Sequence, residues 1–317
     1  MSKLYDFTQL DALSRCEVEF SYRYQQHLQR ATPDASAHFG SAVHAGVRAL
    51  FDGKPAGTYE DEKDALFAVS EAWADGCASE KKPYLTLQYA HEVVKMYAKI
   101  YGVGGREADA LDRVTGTDSG VHTQPVTSSP FSLVLNEHYL EWPERSLCGI
   151  VDRVVRSRVD GQFYVMDLKT TGLYLSQAWF EQWRHSLQAA IYLDLVERAL
   201  FDQSAEPVAG FWVDAIHVDR RGYPKPEDFM RVGPFGYSPA LRSELRGVVD
   251  VLVRRAQDLD QAAYEPLKNP RNCYRYNSLC SFFQFCTLEP ADRADAMAMS
   301  VASGELVQEE WVPALRR

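Results

Sequence analysis

The sequence lacks the features that would place a protein in a membrane or direct it out of the cell. Its 317 residues contain no apolar run long enough to cross a bilayer. The first residues, Met1 to Asp6, lack the apolar stretch of a secretory signal peptide. Internal repeats are also absent, which argues against a repeat architecture. We therefore expect a cytoplasmic protein that does not engage membranes.

The sequence also has fewer basic than acidic residues. Lys and Arg number 34 against 44 Asp and Glu, which gives a net charge of -10. This balance argues mildly against binding to nucleic acid, because phosphate contacts need positive charge, although local potential matters more than the total. Each basic spot is either a phosphate contact or solvated surface. These spots are Arg153, Arg156 and Arg158, Lys81 with Lys82, and Arg271 with Arg275.

The distribution of apolar residues indicates an α/β protein. With 46% hydrophobic and 25% charged residues, the chain has enough apolar content for a core, and its length allows one or two domains. Hydrophobic periodicity predicts helices over 7–30, 38–51, 60–80, 83–101, 176–200 and 238–262. Alternation predicts strands over 131–142, 147–155, 163–168 and 208–218. Gly, Pro, Ser and Thr predict loops over 102–129 and 220–236.

Two acidic residues and a lysine lie on neighbouring predicted strands. Asp152 follows the short apolar run 149–151, and Asp167 lies two residues before Lys169. Two carboxylates can hold a hard divalent cation, and side chains two apart share a strand face, so Lys169 would lie beside that cation. This set suits metal-dependent hydrolysis of a phosphodiester. The alternatives are a turn or a salt bridge to Arg153 for Asp152, and a strand-end cap for Asp167.

Four segments in this order resemble the PD-(D/E)xK nuclease superfamily, in particular its RecB-like exonuclease branch. They are His44 at the end of 39–44, Asp152, the run 167–170, and Gln188 with Tyr192. That branch includes CRISPR-adaptation exonucleases and the nuclease domains of helicase–nuclease machines. The resemblance implies an α/β, restriction-endonuclease-like core, a mixed central sheet flanked by helices, with a helical N-terminal part and a C-terminal iron–sulfur segment. It implies one nuclease domain over 1–290, followed by a C-terminal tail over 291–317.

The resemblance also implies roles for single residues. His44, Asp152, Asp167 and the carbonyl of Leu168 would hold Mg²⁺ or Mn²⁺, and in some relatives a glutamate at the place of Glu137 joins them. Lys169, Gln188 and Tyr192 would support catalysis, the last two by contacting DNA and hydrogen bonding to the lysine. By pattern alone, His44 is a core residue, Glu137 a surface residue, and the helix carrying Gln188 and Tyr192 a face packed on the sheet.

The six cysteines need a separate explanation. Three of them, Cys273, Cys280 and Cys286, lie close together in sequence, without the paired CxxC knuckles of common zinc sites. A cytosolic protein should not hold them as disulfides, and thiolates gathered among aromatic residues suit a metal or cluster. The resemblance adds Cys16 as a fourth ligand and implies an iron–sulfur cluster of the 4Fe-4S type. Buried free thiols are the alternative, and Cys77 and Cys148 are expected to be core residues.

These observations predict a metal-dependent deoxyribonuclease, by resemblance an exonuclease acting on single strands or DNA ends. Recombination, repair or CRISPR-type processing, and a phage origin, follow from the resemblance alone. No GxxxxGK[ST] phosphate loop is present, so unwinding would require a helicase or recombination partner. One rival is a catalytically inactive DNA- or protein-binding module on a nuclease fold. The other is a zinc-stabilised nucleic-acid binder.

Overall fold

The computed structural model describes residues 3–32, 34–51, 59–73, 82–101, 110–111, 114–115, 121–122, 125–126, 130–201, 207–275 and 278–313. The helices are α1 (Phe7–Arg15), α2 (Glu17–Phe20), α3 (Ala35–Phe51), α4 (Tyr59–Trp73), α5 (Leu87–Tyr101), α6 (Gln177–Glu181), α7 (Leu187–Phe201), α8 (Pro239–Asp260), α9 (Phe283–Cys286) and α10 (Arg293–Ala302). Among these helices, none combines the length and apolarity of a membrane span.

The strands begin with β1 (Leu28–Arg30) and the two-residue β2 (Ala110–Leu111), β3 (Val114–Thr115), β4 (Val121–His122) and β5 (Pro125–Val126). The long strands follow: β6 (Phe131–Trp142), β7 (Leu147–Ser157), β8 (Phe163–Thr171), β9 (Gly210–His217) and β10 (Phe229–Phe235). Three short strands complete the set: β11 (Tyr274–Arg275), β12 (Ser278–Leu279) and β13 (Leu306–Gln308). Most of the predicted loop 102–129 and the cysteine at position 77 lie outside the described residues.

The long strands form a mixed central sheet in the order β10-β9-β8-β7-β6, which β3 and β4 extend beyond β10. Strand β8 pairs parallel with β9, while β7 pairs antiparallel with β8 and β10 antiparallel with β9. Strand β10 lies inside the predicted loop 220–236, so that prediction was wrong there. The charge of Arg231 and the Gly233-Pro234 pair interrupt the apolar alternation by which the other strands were found.

Helices cover both faces of this sheet. Leu168 of β8 and Ile216 of β9 pack in one apolar cluster with buried residues of α3 and α5. Asp167, one position earlier on β8, projects from the opposite face because side chains alternate. There its carboxylate accepts a hydrogen bond from Gln188 of α7. The predicted mixed sheet flanked by helices is confirmed.

By Cα packing the chain divides into two compact units. The first consists of Met1–Pro33, Glu141–Gly149 and Ser243–Arg316, and the second of Asp34–Leu140 and Ile150–Arg242, with Arg317. In the first unit, a helix predicted over 7–30 is instead α1, α2, a π-helical turn at Ser21–Gln25, and β1. The segment after residue 290, which we expected as a tail, contains α10 and β13, and β13 pairs antiparallel with β1.

Candidate active site

The site begins where the ladder between β7 and β8 ends. The paired register runs from Arg156–Phe163 to Arg153–Met166. Immediately beyond it, the amide of Leu168 donates to Asp152 Oδ2 at 2.7 Å. The carboxylate thus accepts the hydrogen bond that a carbonyl of the neighbouring strand would otherwise accept. Asp152 is thereby fixed at the point where the two strands stop pairing.

Helix α3 brings His44 to the same point. A Cβ atom at Gly40 would lie 2.8 Å from Thr170 Oγ1, so any larger residue would displace this hydroxyl or move α3 away from the end of β8. His44 lies four residues after Gly40, on the same helix face. Its Nδ1 is 3.7 Å from Asp152 Oδ2. The side chain is 28% exposed, so His44 lies at the edge of the core.

Glu137 completes a compact group of possible ligands. Its φ of 45° lies in the left-handed region, which interrupts the regular alternation of β6. Such a conformation costs a non-glycine residue on the order of 1–3 kcal/mol and concentrates at functional sites. Within the described ranges, Glu137, His44 and Asp152 are the group whose ligand atoms lie within 4.8 Å of one another. The three residues come from β6, α3 and β7.

Asp167 and Lys169 form the other half of the site. Lys169 Nζ lies 2.5 Å from Asp167 Oδ2, and Gln188 donates to Asp167 Oδ1 at 3.1 Å. The lysine also lies over the ring of Trp183, 5.5 Å from its centroid. Tyr192 is half-buried on α7, four positions after Gln188. The sequence analysis missed Trp183, because nothing in the local pattern relates it to the strand that carries the lysine.

Burial raises the pKa of every carboxyl group at the site. Desolvation, and then the charge of Asp152, raise the pKa of Glu137 from 4.5 to about 8. Desolvation also raises the pKa of Asp152, and it raises that of Asp167 from 3.8 to about 6 even though Lys169 opposes it. For His44, burial and then the charge of Lys169 lower the pKa from 6.5 to about 4. The imidazole is therefore neutral at pH 7, with a lone pair available to a metal.

Arg153 does not belong to a basic surface patch, and it does not pair with Asp152. It is 2% exposed and donates to Asp214 Oδ2 at 2.9 Å and to the hydroxyl of Tyr97. Arg231 donates to the same carboxylate, with Nε 2.5 Å from Asp214 Oδ1. Burial alone would raise the pKa of Asp214, but Arg231 and then Arg153 lower it to about 2. The phosphate-contact and solvated-surface interpretations of Arg153 were therefore both wrong.

A second candidate centre lies in the first unit. Cys16, Cys273, Cys280 and Cys286 are all half-buried, and all four line one pocket together with Phe282 and Phe283. Cys148 is fully buried elsewhere, as expected of a core cysteine.

Local structure explains how cysteines far apart in sequence meet. Strands β11 and β12 pair, and the amide of Cys280 donates to the carbonyl of Cys273 at 2.8 Å, which closes the seven-residue separation. The side-chain amide groups of Asn269 and Asn272 both donate to the backbone carbonyl of Arg15, at 2.9 and 2.7 Å. These bonds hold the end of α1, next to Cys16, against the segment that precedes Cys273.

Comparison with known proteins agrees with this geometry. No curated protein matches the chain. The family model described as the PD-(D/E)XK nuclease superfamily matches residues 7–287, which include every residue of both candidate centres. On the strength of a match over most of its length, the chain belongs to the PD-(D/E)XK nuclease superfamily.

Proposed function

We propose that the protein is a Mg²⁺- or Mn²⁺-dependent DNA nuclease, and by its RecB-like resemblance an exonuclease. The observation that carries this proposal is the convergence of His44, Glu137 and Asp152 within 4.8 Å of one another. Beside them, Lys169 contacts Asp167 at 2.5 Å, so acid, imidazole and ammonium groups meet at the end of one strand ladder.

The donor set fits a divalent cation. Buried carboxyl groups with raised pKa values repel one another when ionised, and a bound cation removes that repulsion. Oxygen ligands suit Mg²⁺, and an added neutral imidazole favours Mn²⁺. Asp152, Glu137, His44 and Asp167 would hold the ion, with the carbonyl of Leu168, whose amide already donates to Asp152. When bound, the cation would polarise the scissile phosphate and lower the pKa of a water molecule.

The remaining side chains would position the attacking water and the DNA, and they would balance the charge that develops on the phosphate. Asp167 holds the ammonium of Lys169 at 2.5 Å, and Gln188 fixes the other oxygen of that carboxylate. Lys169 would orient the attacking water and offset negative charge that develops on the phosphate. Trp183 supports this lysine from its ring face, which keeps the ammonium directed at the site. Tyr192 would contact the DNA from α7.

The test is cleavage of end-labelled single- and double-stranded DNA in Mn²⁺ or Mg²⁺, with and without EDTA. We expect cleavage that EDTA abolishes and that Asp167→Asn reduces by orders of magnitude. The matched control is Asp258→Asn, which makes the same change at an exposed position on α8. DNA binding without cleavage in either metal would favour an inactive binding module. Equal activity of Asp167→Asn and Asp258→Asn would remove Asp167 from the site.

We also propose that Cys16, Cys273, Cys280 and Cys286 hold an iron–sulfur cluster. The support for this proposal is that the four thiol groups, far apart in sequence, line one pocket, since four cysteine thiolates are the ligands that hold a 4Fe-4S cluster. Anaerobic purification should give a brown protein that contains iron and sulfide, whereas colourless protein that contains zinc would refute the cluster.

In the cell, a nuclease of this kind would act in recombination, repair or CRISPR-type processing, with a helicase or recombination protein supplying unwound DNA. Co-purification from cells that express the tagged chain, followed by an ATP-dependent unwinding assay, tests for such a partner. If the purified chain degrades duplex DNA from its ends at the rate at which it degrades single strands, it requires no helicase.

A further inference from the structure

The segment that follows the catalytic strand borders the lysine side of the site. It leaves β8 after Thr171 and returns at Trp183, whose ring centroid lies 5.5 Å from Lys169 Nζ. Between these points, Tyr174 is 80% exposed and Leu173 is 55% exposed. Because five residues span at most about 18 Å, Tyr174 lies within that distance of Lys169 along the chain. A large aromatic ring is thus displayed to solvent within reach, along the chain, of the proposed chemistry.

The local backbone holds this ring outward. The amide of Leu173 donates to Thr171 Oγ1 at 3.0 Å, and the amide of Ser176 donates to the carbonyl of Tyr174 at 2.9 Å. Ser176 in turn caps α6, and Leu175 is buried between the two turns. In the part of the chain that the structure describes, the ring of Tyr174 contacts no other aromatic ring. The turn is therefore ordered on both sides, while the ring itself stays uncovered.

Two cationic side chains flank the segment, and each is paired with a carboxylate, Lys169 with Asp167 and Arg184 with Glu181, which a phosphate would have to replace. Lys169 precedes it, and Arg184 and His185 follow Trp183 directly. Its one acidic residue, Glu181, pairs with Arg184. Basic groups that follow a nucleic-acid strand, together with an exposed aromatic ring, are the combination that binds unpaired bases. In a duplex, the faces of the bases are covered by their neighbours and are not available to such a ring.

We propose that Tyr174 stacks on an unpaired base of the DNA strand held at the site, and that it makes single-stranded or frayed DNA the preferred substrate. This inference rests on the proposed nuclease function and adds the residue that selects the substrate. The phenol ring provides the stacking surface, while Lys169 and the basic residues after Trp183 engage the backbone. Leu173 extends the apolar surface next to the ring.

The test measures KM and kcat for Mn²⁺-dependent cleavage of a single-stranded oligothymidylate and of the same backbone with abasic positions. Stacking on one base corresponds to about a 5- to 150-fold effect on affinity. We expect Tyr174→Ala to raise KM by this factor on oligothymidylate, with kcat little changed. On the abasic strand, Tyr174→Ala and wild type should be equal. Tyr174→Phe, which keeps the ring, should behave as wild type on both.

Phe67→Ala is the matched control, since Phe67 is also a large exposed aromatic residue, 65% accessible on α4. If wild type cleaves DNA and Tyr174→Ala shows the same KM as Phe67→Ala, stacking is refuted while the nuclease stands. If Tyr174→Phe raises KM on oligothymidylate as much as Tyr174→Ala does, the hydroxyl and not the ring makes the contact. That result would also refute stacking. If wild type cleaves no DNA in any metal, the proposed function fails first.

Discussion

Replacing Asp167 by Asn should stabilise the metal-free protein while it abolishes activity. The carboxyl group is 1% exposed, and desolvation raises its pKa from 3.8 to about 6. Keeping it ionised in the folded state therefore costs about 1–3 kcal/mol at pH 7.5. Asn has nearly the same volume, carries no charge, and keeps an oxygen that can accept the hydrogen bond from Gln188. Losing the contact with Lys169 costs little, because that ammonium is partly exposed.

The pH dependence of this effect has a defined sign. Below about pH 4 the carboxyl group is protonated in both the folded and the unfolded state, so it costs nothing. Between about pH 4 and the folded pKa of about 6, the unfolded state ionises while the folded state resists ionisation, so wild type loses stability relative to Asp167→Asn, and the loss is complete above that pKa. The melting temperature of the variant should exceed that of wild type at pH 7.5 in EDTA by about 2–4 °C per kcal/mol. The difference should shrink toward pH 4.

Adding Mn²⁺ should reverse the order of the two proteins. A ligand that binds the folded state at 100 times its Kd stabilises it by about 2.7 kcal/mol. Wild type should gain this stability, and Asp167→Asn, which lacks a ligand charge, should gain much less. Thermal melts in EDTA and in Mn²⁺, together with a cleavage assay, give all the required measurements. An equal Mn²⁺-induced shift in both proteins, or near-normal cleavage by Asp167→Asn, would refute the reasoning.

Three further substitutions test other parts of the structure. His44→Ala should raise the Mn²⁺ concentration needed for cleavage while changing the melting temperature little; a lower melting temperature with unchanged metal titration would make His44 a core residue. Asp214→Asn should lower the free energy of unfolding by roughly 3–5 kcal/mol in urea titrations, because two buried guanidinium groups lose their carboxylate. Cys16→Ser should lose iron to the same extent as Cys280→Ser, whereas Cys148→Ala should keep it; full iron content in Cys16→Ser would remove that cysteine from the ligand set.

Much of the sheet could be predicted because its strands carry a local signal. Strands β6, β7, β8 and β9 show apolar or alternating patterns, and the sequence places each within three residues of its observed ends. Strand β10 escaped detection because Arg231, Gly233 and Pro234 interrupt its pattern. Its position depends on pairing with β9, where Asp214 faces Arg231 in the register. Tertiary context supplies what the local sequence lacks.

The same distinction applies to the site. Asp167 and Lys169 could be related from sequence alone, because their period-two spacing holds on any strand. The approach of His44 to Asp152 depends on Gly40, whose missing side chain lets α3 lie against Thr170, and no local pattern reports that contact. Only the resemblance to a nuclease family indicated that His44 belonged to the site.

Arg153 shows most clearly where local interpretation fails. An arginine next to an active-site aspartate suggests a phosphate contact, yet the strand alternates and turns Arg153 to the face opposite Asp152. The one sequence signal for its true role is distant: Asp214 lies inside an otherwise apolar strand, and a buried carboxylate requires a cationic partner. Arg153 and Arg231 together supply that partner, and being buried they cannot reach a phosphate. In a chain of net charge -10, these two guanidinium groups therefore serve the fold, and they are not available to a ligand at the surface.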